Sequence, residues 1–337
     1  MSAAKQRGAA LLMALLTVAL VATFAAASLW QQWRAVEVET SERARIQSAW
    51  ILTGALDWAR LLLREDATTG GRAGVDHLGE PWAVPLQEAR LSTFLAADKN
   101  NTTSTDFGPE VMEAFLSGQV IDLQSLMNVN LLALPSGTRS DGHYEAFARL
   151  FAILGLPESE LQKLAENLRA AVQAGLVSPS PVQAHLKPRR VSELVWLGVS
   201  PQTLAVLEPY ITIIDRTDTT INVNTAPAEV IAAARDIDLS EAQRLVQVRE
   251  SAYFRDRDQI TAHLAPGTPR QDAGDYLVDV NSRFFEVRAR LRLDKLVVEE
   301  RSVLERSANG MHVTIVSRER GTVDPTTLSH IAMTQQR

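Results

Sequence analysis

The sequence predicts an α+β protein built on one long N-terminal helix. Three observations predict it. An uncharged run from Ala9 to Leu29 continues into an amphipathic pattern with no proline before Pro81. The stretch 144–263 then carries helical periodicity and helix caps, and the chain closes on strands that alternate with a period of two. An early helix and a late sheet, separated by a helical block, imply that the two ends of the chain meet around an insertion.

The run Ala9–Leu29 is roughly 32 Å long as a helix, enough for a hydrocarbon core of about 30 Å. Lys5 and Arg7 stand on its short side, so the positive-inside rule keeps the N-terminus cytoplasmic and sends the bulk of the chain across. Three readings fit the stretch. It is a plain anchor; or a secretory signal peptide with Ala25-Ala26-Ala27 as the cleavage site, although its apolar run is long for one; or a prepilin-type leader cut between Gly8 and Ala9. The short basic leader ending in glycine, with the apolar run starting at the next residue, resembles the third class.

The chain has 337 residues, a net charge of −6 and no cysteine. That length suits two domains beyond an anchor. The negative balance argues against a nucleic-acid surface. Without cysteine there is no disulfide, no thiol nucleophile and no thiolate-bound metal.

Past the anchor, Ala49, Leu52, Leu56, Ala59 and Leu63 recur at spacings of three and four, while Arg43, Arg45, Asp57 and Arg60 fall off that stripe. One helix is expected from about Ala9 to Glu65, with a hinge near Trp33 as the alternative, ended by the glycine-rich stretch Thr68 to Gly74. Glu80-Pro81-Trp82-Ala83-Val84-Pro85-Leu86 reads as a rigid extended segment whose tryptophan docks on the core. Asp98 to Asp106 reads as a loop and Gln119 to Leu126 as a strand. In the helical block, Phe147, Leu150, Phe151 and Leu154 share a face ending at Gly155, and Ser159 to Val177 forms the next helix. Val191 to Leu197 stops at Gly198, a natural C-terminal glycine. Ser200-Pro201 and Thr225-Ala226-Pro227-Ala228-Glu229 open further helices, and Ser240 caps another reaching Arg249. Finally Phe285, Val287, Ala289, Leu291 and Leu293 alternate with Glu286, Arg288, Arg290 and Arg292. Leu296–Leu304 and His312–Arg318 supply two more strands, joined through Asn309-Gly310.

Five stretches carry a family resemblance: the leader through Leu16; Glu80-Pro81-Trp82-Ala83; Asp122-Leu123-Gln124 with Asn128-Val129-Asn130; Ile221 through Glu229; and Val280 through Phe285. In this order and spacing the chain resembles the minor pseudopilin K family of type II secretion systems over nearly its whole length. The resemblance implies a pilin-like fold, with the long transmembrane helix on an antiparallel sheet and a large all-helical insertion containing a helix-hairpin-helix element. The expected division is 1–8 leader, 9–29 transmembrane helix, 30–66 periplasmic half of the helix, 67–130 first part of the α/β domain, 131–279 insertion, 280–325 closing strands and 326–337 tail. It also implies cleavage by prepilin peptidase between Gly8 and Ala9, residence in the bacterial inner membrane and its lipid, contact with the inner-membrane assembly platform, and a place at the pseudopilus tip with the minor pseudopilins I and J. Most pilin-class subunits carry glutamate at the fifth mature residue, and K proteins are the usual exception; here that residue is Met13. A carboxylate in an apolar helix is costly without a partner, and a tip subunit has no neighbour above it to use one. Ala9 departs from the aromatic residue common at the first mature position. The stripe Ala49, Leu52, Leu56, Ala59 and Leu63 is expected to dock with partner helices.

Because some relatives bind structural calcium, two acid-rich loops are candidates: Asp272, Gly274, Asp275 and Asp279, and less so Asp215, Asp218 and Asn222. Two rival functions remain. The segment Ile221 to Ile260 is similar to the helix-hairpin-helix modules of membrane-anchored DNA receptors, but its hairpin reads Arg235-Asp236-Ile237-Asp238, with acids where phosphate-binding glycines belong. Lys187, Arg189 and Arg190 form only a small basic cluster, so no nucleic-acid partner is expected. A minor pilin of a type IV pilus is the other rival, disfavoured by the large insertion. No motif of a hydrolase, a zinc protease or a phosphate loop occurs, and the six histidines lack metal-ligand spacing, so no enzyme is expected.

Overall fold

The computed structural model describes residues 3–69, 74–92, 114–135, 138–175, 186–264, 277–293 and 296–322. Helix α1 (Ala3–Thr69) runs unbroken for 67 residues, about 100 Å, with no hinge at Trp33. No proline interrupts it, and its polar side chains within the apolar run cap themselves: the Thr17 and Thr23 hydroxyls donate to the carbonyls of Ala14 and Leu20. From Ala9 to about Glu42 every side chain is exposed, and the helix contains an 18-residue window of mean hydropathy 2.4, long and apolar enough to cross a membrane.

The second half of α1 lies on a five-stranded antiparallel sheet formed by β1 (Leu86–Arg90), β2 (Phe115–Asp122), β7 (Phe284–Leu293), β8 (Leu296–Arg306) and β9 (Val313–Thr322), ordered β1-β2-β7-β8-β9. The alternation expected in β7 is present: Phe285, Val287, Ala289, Leu291 and Leu293 turn towards α1 and are buried. By register, Val298, Glu300, Ser302 and Leu304 of β8 stand opposite that inward set, and Arg306 continues the same parity. Two inward positions are therefore charged. At the β8–β9 turn Gly310 takes a φ of 71°, and a Cβ there would lie 2.4 Å from the Ala67 Cβ, so the hairpin closes on the end of α1 only with glycine.

Two expected elements differ. Pro81–Ala83 forms a single 3-10 turn rather than extended chain, and β1 follows it; Trp82 is buried as expected, edge-on to Phe285. The strand expected over Gln119–Leu126 instead starts at Phe115 and ends at Asp122, because the Asp122 carboxylate accepts from the Gln124 N–H and turns Leu123–Ser125 into a 3-10 helix. The loop expected over Asp98–Asp106 lies outside the described residues.

The chain leaves the sheet after Asp122 and returns at Phe284, and Asp122 pairs with Phe285, so both crossings lie side by side. Between them stand α2 (Thr138–Ile153), α3 (Glu158–Gly175), α4 (Pro201–Leu207), α5 (Ala228–Arg235), α6 (Leu239–Ser251) and α7 (Arg257–Ala262), with two short parallel pairs, β3 (Met127–Asn128) with β4 (Ile211–Thr212) and β5 (Ile221–Asn222) with β6 (Val278–Asp279). This unit has its own core, in which Phe147, Leu150, Leu161, Leu164, Val230 and Leu245 are fully buried. Ser200 caps α4 through the Thr203 N–H, as expected, whereas Asp238 rather than Ser240 stands before α6.

Candidate functional site

Where insertion and sheet meet, the contact is polar and buried. Asp122 Oδ2 accepts from Ser282 Oγ at 2.6 Å, Thr225 Oγ1 at 2.6 Å and Asn222 Nδ2 at 3.1 Å, while Oδ1 takes the Gln124 N–H at 2.8 Å. Four donors satisfy the carboxylate, yet full burial still outweighs them and pushes its pKa up to about 6. Asn222 Nδ2 also donates to the Asp76 carbonyl, and Asp76 Oδ2 accepts the Ser282 N–H at 2.7 Å. Arg306, from the inward face of β8, places Nη2 2.6 Å from Asp76 Oδ2 and 2.7 Å from the Ser282 carbonyl. One side of this junction is the sheet (Asp122, Arg306), the other the insertion (Asn222, Thr225), with the loops carrying Asp76 and Ser282 between them.

The asparagines of the remaining recognisable stretches also brace backbone. Asn128 Nδ2 donates to the carbonyls of Ile214 and Arg216, and its Oδ1 accepts the Ile214 N–H at 3.0 Å. Asn224 exchanges both hydrogen bonds with the Phe254 backbone. Gln124 Oε1 accepts the Arg283 N–H at 2.7 Å, and its amide donates to the Thr220 carbonyl. Each bond spans a loop that no regular ladder satisfies. The asparagines brace the insertion internally, and Gln124 ties its entry to the strand that returns to the sheet.

Helix α1 has two faces. Leu52, Leu56, Ala59 and Leu63 are buried on this chain's own sheet, against Leu291 and Val298 at one level and Phe285 and Leu304 at the next. The stripe expected to meet partner helices is therefore consumed within the chain, and only Ala49 stays half-buried. An amphipathic stripe finds its nearest apolar surface first, and that surface is the sheet. The opposite face carries Trp50, Gly54 and Leu61, with Trp50 74% exposed and open space around Gly54, and Trp58, 42% exposed, stands at its edge, lining a cavity with Trp82 and Leu116.

Other expected sites fall as follows. Gly8 and Ala9 lie within α1, and Met13 stands exposed in its apolar half. Asp272 and Asp275 lie outside the described residues; the Asp279 carboxylate already accepts from Arg257 Nη2 at 2.7 Å and from the Val280 N–H. In the other acidic loop Asp215 pairs with Lys187, and Asp218, between Arg216 and Arg283, is held well below the usual carboxylate range. Asn222 is turned into the junction instead. At the hairpin Asp236 adopts a φ of 56°, the left-handed conformation glycine favours, and lies 3.6 Å from Arg149. What sequence reasoning missed is Arg306 with Asp66, Asp76 and Glu80. Their one signal was a charged residue at an inward strand position.

A single long helix on an antiparallel sheet, interrupted by a helical unit, defines a fold of the pilin-like class, whose apolar helix half is long enough for a membrane anchor. Comparison places it further. Two models described as "Type II secretion system (T2SS), protein K" match residues 125–216 and 221–281. The type II secretion system protein K of Pseudomonas aeruginosa is 28% identical, aligned over 94% of this chain and 93% of its own length; that of Pectobacterium carotovorum is 25% identical over 95% and 99%. In structure the chain is similar to a chain of the GspK-GspI-GspJ complex of enterotoxigenic Escherichia coli, with a TM-score of 0.63 and 19% identity, covering 83% of this chain and 98% of that one. Along nearly its whole length the chain is similar to protein K of type II secretion systems, and the family models, the curated relatives and the structural neighbour all support a minor pseudopilin K.

Proposed function

We propose that this subunit forms the outer end of the pseudopilus, where it joins minor pseudopilins I and J, starts assembly and so supports export of folded proteins across the outer membrane. The observation that carries the reading is the place of the insertion. Phe285, at the start of β7, packs at the level of Leu56–Leu63, whereas Leu291 and Leu293 pack at the level of Leu52. The junction therefore lies at the end of α1 remote from its apolar half, and a subunit stacked beyond it in the same register meets the insertion. Met13 agrees, since this chain offers no carboxylate to a neighbour above. Lys5 and Arg7 orient the N-terminus to the cytoplasm, and cleavage by prepilin peptidase between Gly8 and Ala9 leaves α1 in the inner membrane, beside the assembly platform.

The partner-facing surface in this reading is Trp50, Gly54, Trp58 and Leu61. Exposed tryptophans one turn to either side of a glycine make a notch into which a neighbouring helix fits. The solved relative was found in complex with I and J, which supplies the partner class. The chain has no cysteine, so a single one reports cleanly. Asp57→Cys, exposed on the rim beside the notch and labelled with a photoactivatable maleimide in cells, is expected to capture I or J; Leu52→Cys, on the buried face, is not. Capture from neither position, with the subunit in the membrane, overturns this surface.

A further inference from the structure

At the corner where α1 ends, three carboxylates face one guanidinium. One carboxyl oxygen from each of Asp66, Asp76 and Glu80 lies within 4.8 Å of the other two. Arg306 spends itself mainly on Asp76, holding both of its oxygens, and reaches Asp66 only at 3.3 Å. Among the described residues Glu80 has no arginine or lysine in contact: its Oε2 accepts the His77 N–H at 3.0 Å and Trp82 Nε1 at 2.7 Å, and its Oε1 lies 3.7 Å from His77 Nε2. His77 supplies no charge, because its Nδ1 accepts the Gly79 N–H at 3.1 Å, its ring stacks on Tyr253, and burial lowers its pKa. Asp122, the next acid, is already satisfied across Ser282. The side chains of Asp66 and Glu80 are each only 12% exposed. Two ionised carboxylates facing each other there, with a third beside them, leave two negative charges uncompensated among the described residues.

We propose that Asp66 and Glu80 share one proton, and that this carboxylic acid–carboxylate bond latches the end of α1 to the loop leading into β1. Burial, reinforced by the neighbouring acids, pushes both carboxyls up, Glu80 to about 8. The folded chain then holds a proton that the unfolded chain releases near the ordinary value of 4.5. Stability from the latch is complete below that value and is lost as pH rises towards 8. Asp122 loses its proton near pH 6 and His77 titrates below 6.5, so the interval from pH 6.5 to 8 isolates the pair.

The test is thermal unfolding of the full chain in detergent with a chelator present, from pH 6.5 to 8.5. The wild-type midpoint is expected to fall by roughly 2–3 °C per pH unit up to about 8. Glu80→Gln and Asp66→Asn, which cannot ionise at one partner, are expected to lose that slope. An infrared titration of the wild type gives the same answer without a variant: a protonated carboxyl band at pH 6.5 that disappears near pH 8. Equal slopes in wild type and Glu80→Gln overturn the proposal, as does absence of the band. So does a rise in the wild-type midpoint with millimolar calcium that Glu80→Gln lacks, since a cation rather than a proton then balances the charge.

Discussion

Two seams hold this molecule together, and they are built from opposite chemistry. Under α1 the seam is apolar: Leu52, Leu56, Ala59 and Leu63 against Phe285, Leu291, Val298 and Leu304. Under the insertion it is polar: Asp122, Asn222, Thr225, Asp76, Ser282 and Arg306, all buried. An apolar seam tolerates loss by degrees, because each methylene contributes its own share. A polar seam does not, because removing one partner strands another in a site without water. The sharpest way to break the comparison is therefore Arg306→Ala. It leaves Asp76 and the nearby Asp66 and Glu80 without their one guanidinium, and a loss of roughly 3–5 kcal/mol is expected. Urea unfolding of the full chain in detergent measures it; a loss below about 1 kcal/mol would show that water or relaxation replaces the arginine.

On the apolar side, Leu63→Ala is expected to cost about 3 kcal/mol, within the 2–5 kcal/mol range for large-to-small changes at fully buried sites. The comparison sharpens in the pattern of loss. Leu63→Met at the same site keeps most of the volume and should cost under about 1.5 kcal/mol. Arg306→Lys, by contrast, keeps the charge but replaces two nitrogens with one: Nη2 holds Asp76 and the Ser282 carbonyl while Nη1 reaches Asp66, and a single ammonium cannot span both sides, so it recovers little.

The same contrast explains what was legible in the sequence. Period and spacing are properties of apolar faces, so α1, the alternation in β7 and the Asn309-Gly310 turn could be read directly. The polar stretches that carry the family resemblance could be recognised but not explained, since their partners lie 30 to 206 residues away in sequence, as with Asn224 and Phe254 or Ser282 and Asp76. The stripe Leu52–Leu63 was read as apolar but assigned to the wrong partner, because periodicity shows that a face is buried and not what buries it. Strand ends failed for a local reason: the Asp122 side chain ends β2 by binding the Gln124 N–H, and hydropathy carries no trace of that bond. The cluster Asp66–Asp76–Glu80 was invisible for want of any spacing rule. Only Arg306 and Glu300, charged at inward parity on β8, signalled that something polar lay beneath.

The smallest expected effect bears on the face that neither seam uses. Gly54 sits in the middle of a helix with open space around it and a regular conformation, so nothing within this chain requires glycine. Glycine there costs helix stability of roughly 0.5–1 kcal/mol relative to alanine. Gly54→Ala should therefore stabilise the isolated chain by about that amount, seen as a small rise in the urea midpoint with an unchanged slope. If Trp50, Gly54, Trp58 and Leu61 form the notch for a neighbouring helix, the same variant should weaken co-purification with I and J even as the chain gains stability, and Gly54→Leu should weaken it further. A packing role within the chain cannot produce those opposite signs. A variant that is both more stable and fully able to assemble would leave the glycine without a function and move the partner interface elsewhere on the molecule.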